Sequence, residues 1–236
     1  MRIRHAVFTV AAGSALLAAA VLPAAAHAHH RATAPTSPAE REGSVTASEL
    51  LAKVKSCTQI SAGRYRSDSG TSANIPVCKT GEAVFWKADM DIDCDGQRTT
   101  HCSVTTDPWF QNTTAFQQSD GKQLNAETLP FIVVPTPSSV WDYRTQRIMG
   151  GTVVAVIYNN QVQYAVVGDT GPSAIIGEAS YATAKALGIN PDPRTGGVAS
   201  GVTYILFTNT RVSPIESHSG AVMLGEALAK EFVRTP

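Results

Sequence analysis

The sequence predicts a mainly β domain with peripheral helices (α+β), and three observations carry that prediction. Apolar and β-branched runs of strand length recur at residues 129–134, 152–158, 161–167 and 201–207, mostly bounded by Gly, Pro or Asn. Residues 88–95 alternate strictly between apolar and acidic side chains, the period of a strand. Helical spacing is confined to three segments, two of them short, at 47–55, 180–187 and the C-terminal end. Strands therefore dominate the middle of one domain over residues 44–236, and no internal repeat is visible.

Taken in order, each element has its own local cause. Thr46-Ala47-Ser48-Glu49 is a capping-box pattern, and Leu50, Leu51 and Val54 then recur at helical spacing. Residues 63–79 are rich in Ser, Gly, Asn and Asp, which predicts loop or short irregular strands. Ala88, Met90, Ile92 and Cys94 then alternate with Asp89, Asp91, Asp93 and Asp95, so one strand face carries four carboxylates. Stacked like charges repel, and basic neighbours, a cation or a cationic ligand must offset them. Asp120-Gly121-Lys122 is a turn signal, and Pro135 and Pro137 close the strand at 129–134. Asn159-Asn160 separates two β-branched runs as a hairpin turn, because Asn tolerates positive φ. That hairpin delivers Asp169 off the end of its second strand. Gly188 stops the helix at 180–187, residues 192–200 form a Gly-rich loop, and Ala221, Leu224, Gly225, Leu228 and Phe232 share one face of a C-terminal helix.

The ends and the cysteines bound the setting. Arg2 and Arg4, the apolar stretch at 6–22 and the small residues at 24–28 read as a signal peptide, residues 1–28. Residues 29–43, rich in Ala, Pro, Ser and Thr, read as a disordered leader. The mature chain is then expected to be secreted, extracellular, monomeric and free of the membrane. Removing Arg2 and Arg4 leaves 17 basic against 19 acidic residues, and no basic stripe exists to hold nucleic acid. Cys57, Cys78, Cys94 and Cys102 in an exported chain imply two disulfides. Three pairings are possible, and proximity in sequence favours Cys57 with Cys78 and Cys94 with Cys102. Zinc is the alternative, but no Cys-x-x-Cys spacing supports it.

Two regions carry candidate chemistry. Gly168-Asp169-Thr170-Gly171-Pro172 and Gly177-Glu178 hold two carboxylates nine positions apart. A fully extended chain would separate them by roughly 30 Å at about 3.3 Å per residue, so they cooperate only if the intervening Gly-Pro segment reverses the backbone. The structural alternative is a tight turn whose Asp caps backbone amides, with a surface Glu beyond it. In the acidic strand, Asp91, Asp93, Asp95 and Gly96 match the first half of an EF-hand loop, and the match fails at Cys102, where a bidentate Glu belongs. Calcium and substrate both stay open for that cluster. Trp86, Trp109 and Trp141 are core anchors or sugar-stacking platforms, and Trp109, between Asp107 and polar Gln111-Asn112, is placed at a surface.

The stretch from Ala88 to Gly96, then Asp107-Pro108-Trp109-Phe110-Gln111, then Val167 to Pro172 and Gly177-Glu178-Ala179-Ser180 resemble glycoside hydrolase family 75. Its members are secreted endo-chitosanases, known from fungi and present in actinobacteria. The resemblance runs from about residue 51 to 232, with three separate motifs in order. It implies an inverting hydrolase of β-1,4 linkages in chitosan, without a cofactor or metal, with Asp169 and Glu178 as the essential pair. We assign Glu178 as general acid and Asp169 as general base. A polycationic substrate would meet Asp89, Asp91, Asp93, Asp95, Asp107 and Trp109. The Asp-Thr-Gly turn also resembles turns of double-psi β-barrels, which implies a six-stranded core of that kind. The competing expectations are a non-catalytic, calcium-dependent glycan-binding protein, and a peptidoglycan- or cellulose-acting barrel enzyme. The latter's substrates offer no polycation to explain four stacked carboxylates.

Overall fold

Residues 42–235 are described in the computed structural model of the chain. The signal peptide expected at 1–28 and the leader up to residue 41 lie outside the described residues. Glu42 already belongs to the fold: its Oε2 accepts the Tyr164 amide at 2.7 Å and its Oε1 lies 2.7 Å from His218 Nε2.

Helix α1 (Ala47–Lys53) starts on the expected capping box, with Thr46 as N-cap and Glu49 reaching back. Strands β1 (Thr58–Gln59) and β2 (Cys78–Thr80) form a short antiparallel apron on β3 (Ala83–Asp93). After a long irregular stretch come β4 (Phe131–Pro135), a 3₁₀ turn at Tyr143–Gln146, and the hairpin of β5 (Val153–Tyr158) and β6 (Gln161–Gly171). The chain closes with β7 (Glu178–Ser180), α2 (Tyr181–Ala186), β8 (Val198–Phe207) and α3 (His218–Arg234). Strand order β3-β7-β4-β6-β5-β8, with β8 pairing back onto β3, is a closed six-stranded barrel. Closure leaves the barrel itself no free edge. Two of its pairings, β3 with β7 and β4 with β6, are parallel.

Alternate residues of each strand sort into two apolar clusters, as a closed sheet requires. Val84, Trp86, Met90, Val154, Val156, Val167, Tyr204 and Leu206 belong to the interior cluster. Trp86 stacks on Tyr204 at 5.4 Å and meets Trp141 edge-on at 6.2 Å, so two of the three tryptophans are core anchors. The opposite cluster, with Phe85, Tyr164, Ile205 and Phe207, is covered by α1 and α3. Cys57 bonds Cys78 and Cys94 bonds Cys102, the pairing that sequence proximity favours. Among the described residues no helix is long and apolar enough to cross a membrane.

Three sequence expectations need correction. β6 runs on to Gly171, so Asp169 lies within the strand, opposite Val133 of β4, and not beyond its end. β3 stops at Asp93, because the Cys94–Cys102 bridge turns the chain there and leaves Asp95 in a loop. Residues 198–200, read as loop, begin β8 by pairing with the end of β3.

Candidate active site

Parallel pairing between β3 and β7 sets Asp91 beside Glu178, and the Asp91 amide donates to the Gly177 carbonyl at 2.8 Å. The ends of β3 and β6, the start of β7 and the loops at 67–69 and 107–109 enclose a cleft of about 580 Å³. Among the described residues, seven carboxyl groups line it and none of the lining side chains is basic. A second cavity of about 500 Å³, between α1, α3 and the end of β8, mixes apolar side chains with Lys53, Glu82 and Glu231 and converges on no carboxylate pair.

Asp169 and Glu178 both line the cleft, in different surroundings. Asp169 is 6% exposed, and its Oδ1 accepts the amides of Ala115 and Thr170, each at 2.7 Å. Burial raises its carboxyl above the usual range, while those two donors pull it back and favour the ionised form. Glu178 has no side-chain hydrogen-bond partner among the described residues. Its carboxyl lies over Gly171, where any side chain would collide with it. Burial, then the charges of Asp91, Asp169, Asp95 and Asp89, push Glu178 up to about 7. Its place just before α2, where a helix dipole favours the anion, is outweighed by burial in this acidic surrounding. One carboxylate is thus held by backbone donors, and its neighbour keeps a proton close to neutrality. That combination can both take and give a proton across one cleft.

Buried Ser180 sets this stretch of chain against β4. Its hydroxyl donates to the Leu129 carbonyl at 2.9 Å and accepts the amides of Phe131 and Thr183 at 3.0 and 3.2 Å. Asp95 Oδ1 accepts the Gln111 amide at 2.6 Å, and Asp93 Oδ1 accepts the Asp95 amide at 2.7 Å. The loop holding Gln111 and Ala115 therefore fixes one oxygen on each of Asp95 and Asp169. One oxygen each of Asp93, Asp95 and Asp169 lie within 4.8 Å of one another, close enough to share a single cation. This set differs from the EF-hand reading, which fails outright because Cys102 is locked in a disulfide. Burial, and then neighbouring charges, raise the acids at the end of β3 and just beyond it: Asp91 and Asp95 to about 6, and Asp93 well above the usual value.

Of the remaining expected residues, Trp109 is 82% exposed at the cleft, and Asp107 is buried beside it. Asp107 Oδ1 accepts the Trp109 amide at 2.8 Å, which sets the aromatic side chain's backbone. Asp89 departs from expectation: only 4% exposed, it is covered and does not line the cleft. The sequence reading missed Asp68, which lines the cleft from a separate loop and has no side-chain partner among the described residues. Arg66 braces that loop, its amide donating to the Ala174 carbonyl and its own carbonyl accepting from Ile176, both at 3.0 Å. Ser67-Asp68-Ser69-Gly70 carries no periodic signal, so only the long-range pairing places it.

The closed β barrel thus presents a cleft whose charged groups are all carboxyls, two of them in contrasting surroundings. Residues 90–232 match the family model described as fungal chitosanase of glycosyl hydrolase group 75, and the chain belongs to that family. It is 31% identical to Endo-chitosanase C of Aspergillus oryzae over 65% of this chain and 36% of that protein. It is 32% identical to an Endo-chitosanase of Aspergillus fumigatus over 61% of this chain and 62% of that protein. The chain thus spans between 36% and 62% of the length of the curated relatives it matches. Among solved structures, the Streptomyces papain inhibitor (SPI) aligns with 56% of this chain and 98% of that one, at 16% identity and a TM-score of 0.32, too slight a likeness to bear on function.

Proposed function

We propose that the protein is a secreted endo-chitosanase that cleaves β-1,4 linkages in chitosan with inversion. The observation that carries the proposal is the environment of the pair: Asp169 tied by two amides, Glu178 unbonded and raised to about 7. Glu178 gives its proton to the departing glycosidic oxygen. Asp169 takes a proton from water, which attacks the anomeric carbon from the opposite face. Inversion requires room for that water, about 6.5 to 9.5 Å between the carboxyl groups. Ammonium groups of the substrate relieve the repulsion among Asp68, Asp91, Asp93 and Asp95, so binding and charge relief coincide. Trp109 offers an exposed face for a sugar ring. Two disulfides and the leader expected from the sequence support an extracellular setting.

Reducing-end release from chitosan, chitin, cellulose and peptidoglycan tests this reading. Rapid release from chitosan alone is expected; equal or faster release from chitin, cellulose or peptidoglycan contradicts it. A calcium-dependent glycan-binding protein is the second reading, favoured by the Asp93, Asp95 and Asp169 oxygens. It requires chitosan binding that calcium strengthens, with no new reducing ends.

A further inference from the structure

Asp89 is the carboxyl of the acidic strand that the cleft does not use. Its Oδ1 is buried and has no hydrogen-bond partner among the described residues. Its main-chain carbonyl accepts the Tyr204 hydroxyl at 2.9 Å, where the β3–β8 register shifts between Ala88 and Met90. The buried oxygen sits where a β carbon on Gly177 would have to go. Gly177 has a φ of +124°, its carbonyl accepts the Asp91 amide, and the next residue is Glu178.

We propose that Asp89 is a positioning residue for Glu178, its carboxyl wedged against the Gly177 backbone so that the following side chain is delivered over Gly171. The inference rests on Glu178 being the proton donor. It differs from the expectation that Asp89 contacts substrate, because a covered group behind the cleft acts on the chemical step and not on binding. Removing the wedge frees the Gly177 peptide, and adding a methyl at Gly177 pushes against the same oxygen from the other side. The two positions are therefore coupled through that oxygen, while the approach to the Ala88 β carbon and the strain of a side chain at φ +124° persist whichever residue stands at 89.

The test is hydrolysis of a glucosamine hexamer by wild type, D89N, D89A, G177A, the D89A/G177A double variant and E178Q, each first checked for a cooperative thermal melt. D89A and G177A are expected to lose about 10- to 100-fold in kcat, with KM within about twofold of wild type. D89N keeps the shape and retains most of kcat. The double variant, with its methyl in the vacated space, loses less than the product of the two single losses. Should D89A fail to fold, D89S carries the same expectation. A D89A variant with raised KM and unchanged kcat is a substrate contact, and one with both constants unchanged has no role; either result overturns the proposal, as does independent multiplication of the two losses. E178Q separates the two claims: wild-type turnover there overturns the proton-donor reading and this inference together. An inactive E178Q beside an unaffected D89A overturns the inference alone.

Discussion

Asp169 and Glu178 are nine positions apart in the chain and are made different by what surrounds them. Two backbone amides hold Asp169, while burial among other acids leaves Glu178 protonated to about pH 7. The proposed reaction needs Asp169 ionised and Glu178 protonated, so kcat/KM should trace a bell. Its basic limb falls near pH 7, and its acid limb lies above the usual aspartate value, since Asp169 is itself raised. A pH–rate profile on short oligomers checks this; activity still rising above pH 8 contradicts it. Glu178→Gln and Asp169→Asn should each lose about 10²- to 10⁴-fold while still binding chitosan. Azide should partly rescue Asp169→Asn, by attacking in place of activated water, and should not rescue Glu178→Gln, whose leaving group still needs a proton. The reverse pattern would exchange the roles. The sequence offers the pair through the family resemblance, and the Gly-Pro segment between its members is what lets both reach one cleft. The Ala115 amide that holds Asp169 was not legible: it comes from 54 positions away, and no local pattern announces that contact. Asp68 stayed hidden for the same reason.

β3 shows how far an element can be read from its pattern. Period two placed Ala88 and Met90 in the interior cluster, and it could not show that Asp89 is buried against the Gly177 backbone. The hairpin was fully legible, since Asn159 and Asn160 take φ of 44° and 65° in its turn. Where β6 ends was not, because its last residues are strand only through pairing with β4. The 3₁₀ turn after Asp142 escaped because four residues give no period. The disulfides allow a test at this scale. Cys94 lines the cleft between Asp93 and Asp95, whereas Cys57 and Cys78 do not. Removing either bridge as a Cys→Ala pair should cost about 2 to 4 kcal/mol in denaturant unfolding. Only the C94A/C102A pair should also lower kcat at temperatures where both variants are folded. Equal kcat losses for the two pairs would separate the acidic loop from the chemistry.

Over the whole molecule, 19 basic residues balance 19 acidic ones, yet among the described residues the charged groups of the cleft are all carboxyls. The fold bears a cost for that arrangement. Asp89 and Glu178 are raised to about 7, and Asp91 and Asp95 to about 6, all mainly by burial. Groups that bind protons more tightly when folded contribute stability below their unfolded values, near pH 4, and lose it as pH rises towards 7. Glu127 acts oppositely: hydrogen bonds from Thr99 and His101 lower it to about 2, so its contribution fades as pH falls below 4. The melting temperature should therefore peak near pH 4 to 5 and decline to pH 7, and Asp91→Asn should raise it at pH 7. A melting temperature that climbs steadily to pH 7 contradicts this. The central claim is that Asp169 and Glu178 hydrolyse chitosan by single displacement, and the anomer first released from a glucosamine hexamer tests it most directly. Followed by proton NMR before mutarotation, the wild type should release α reducing ends from its β linkages, and Glu178→Gln should release almost none. Initial release of β ends, or of α ends at the wild-type rate by Glu178→Gln, would contradict the account.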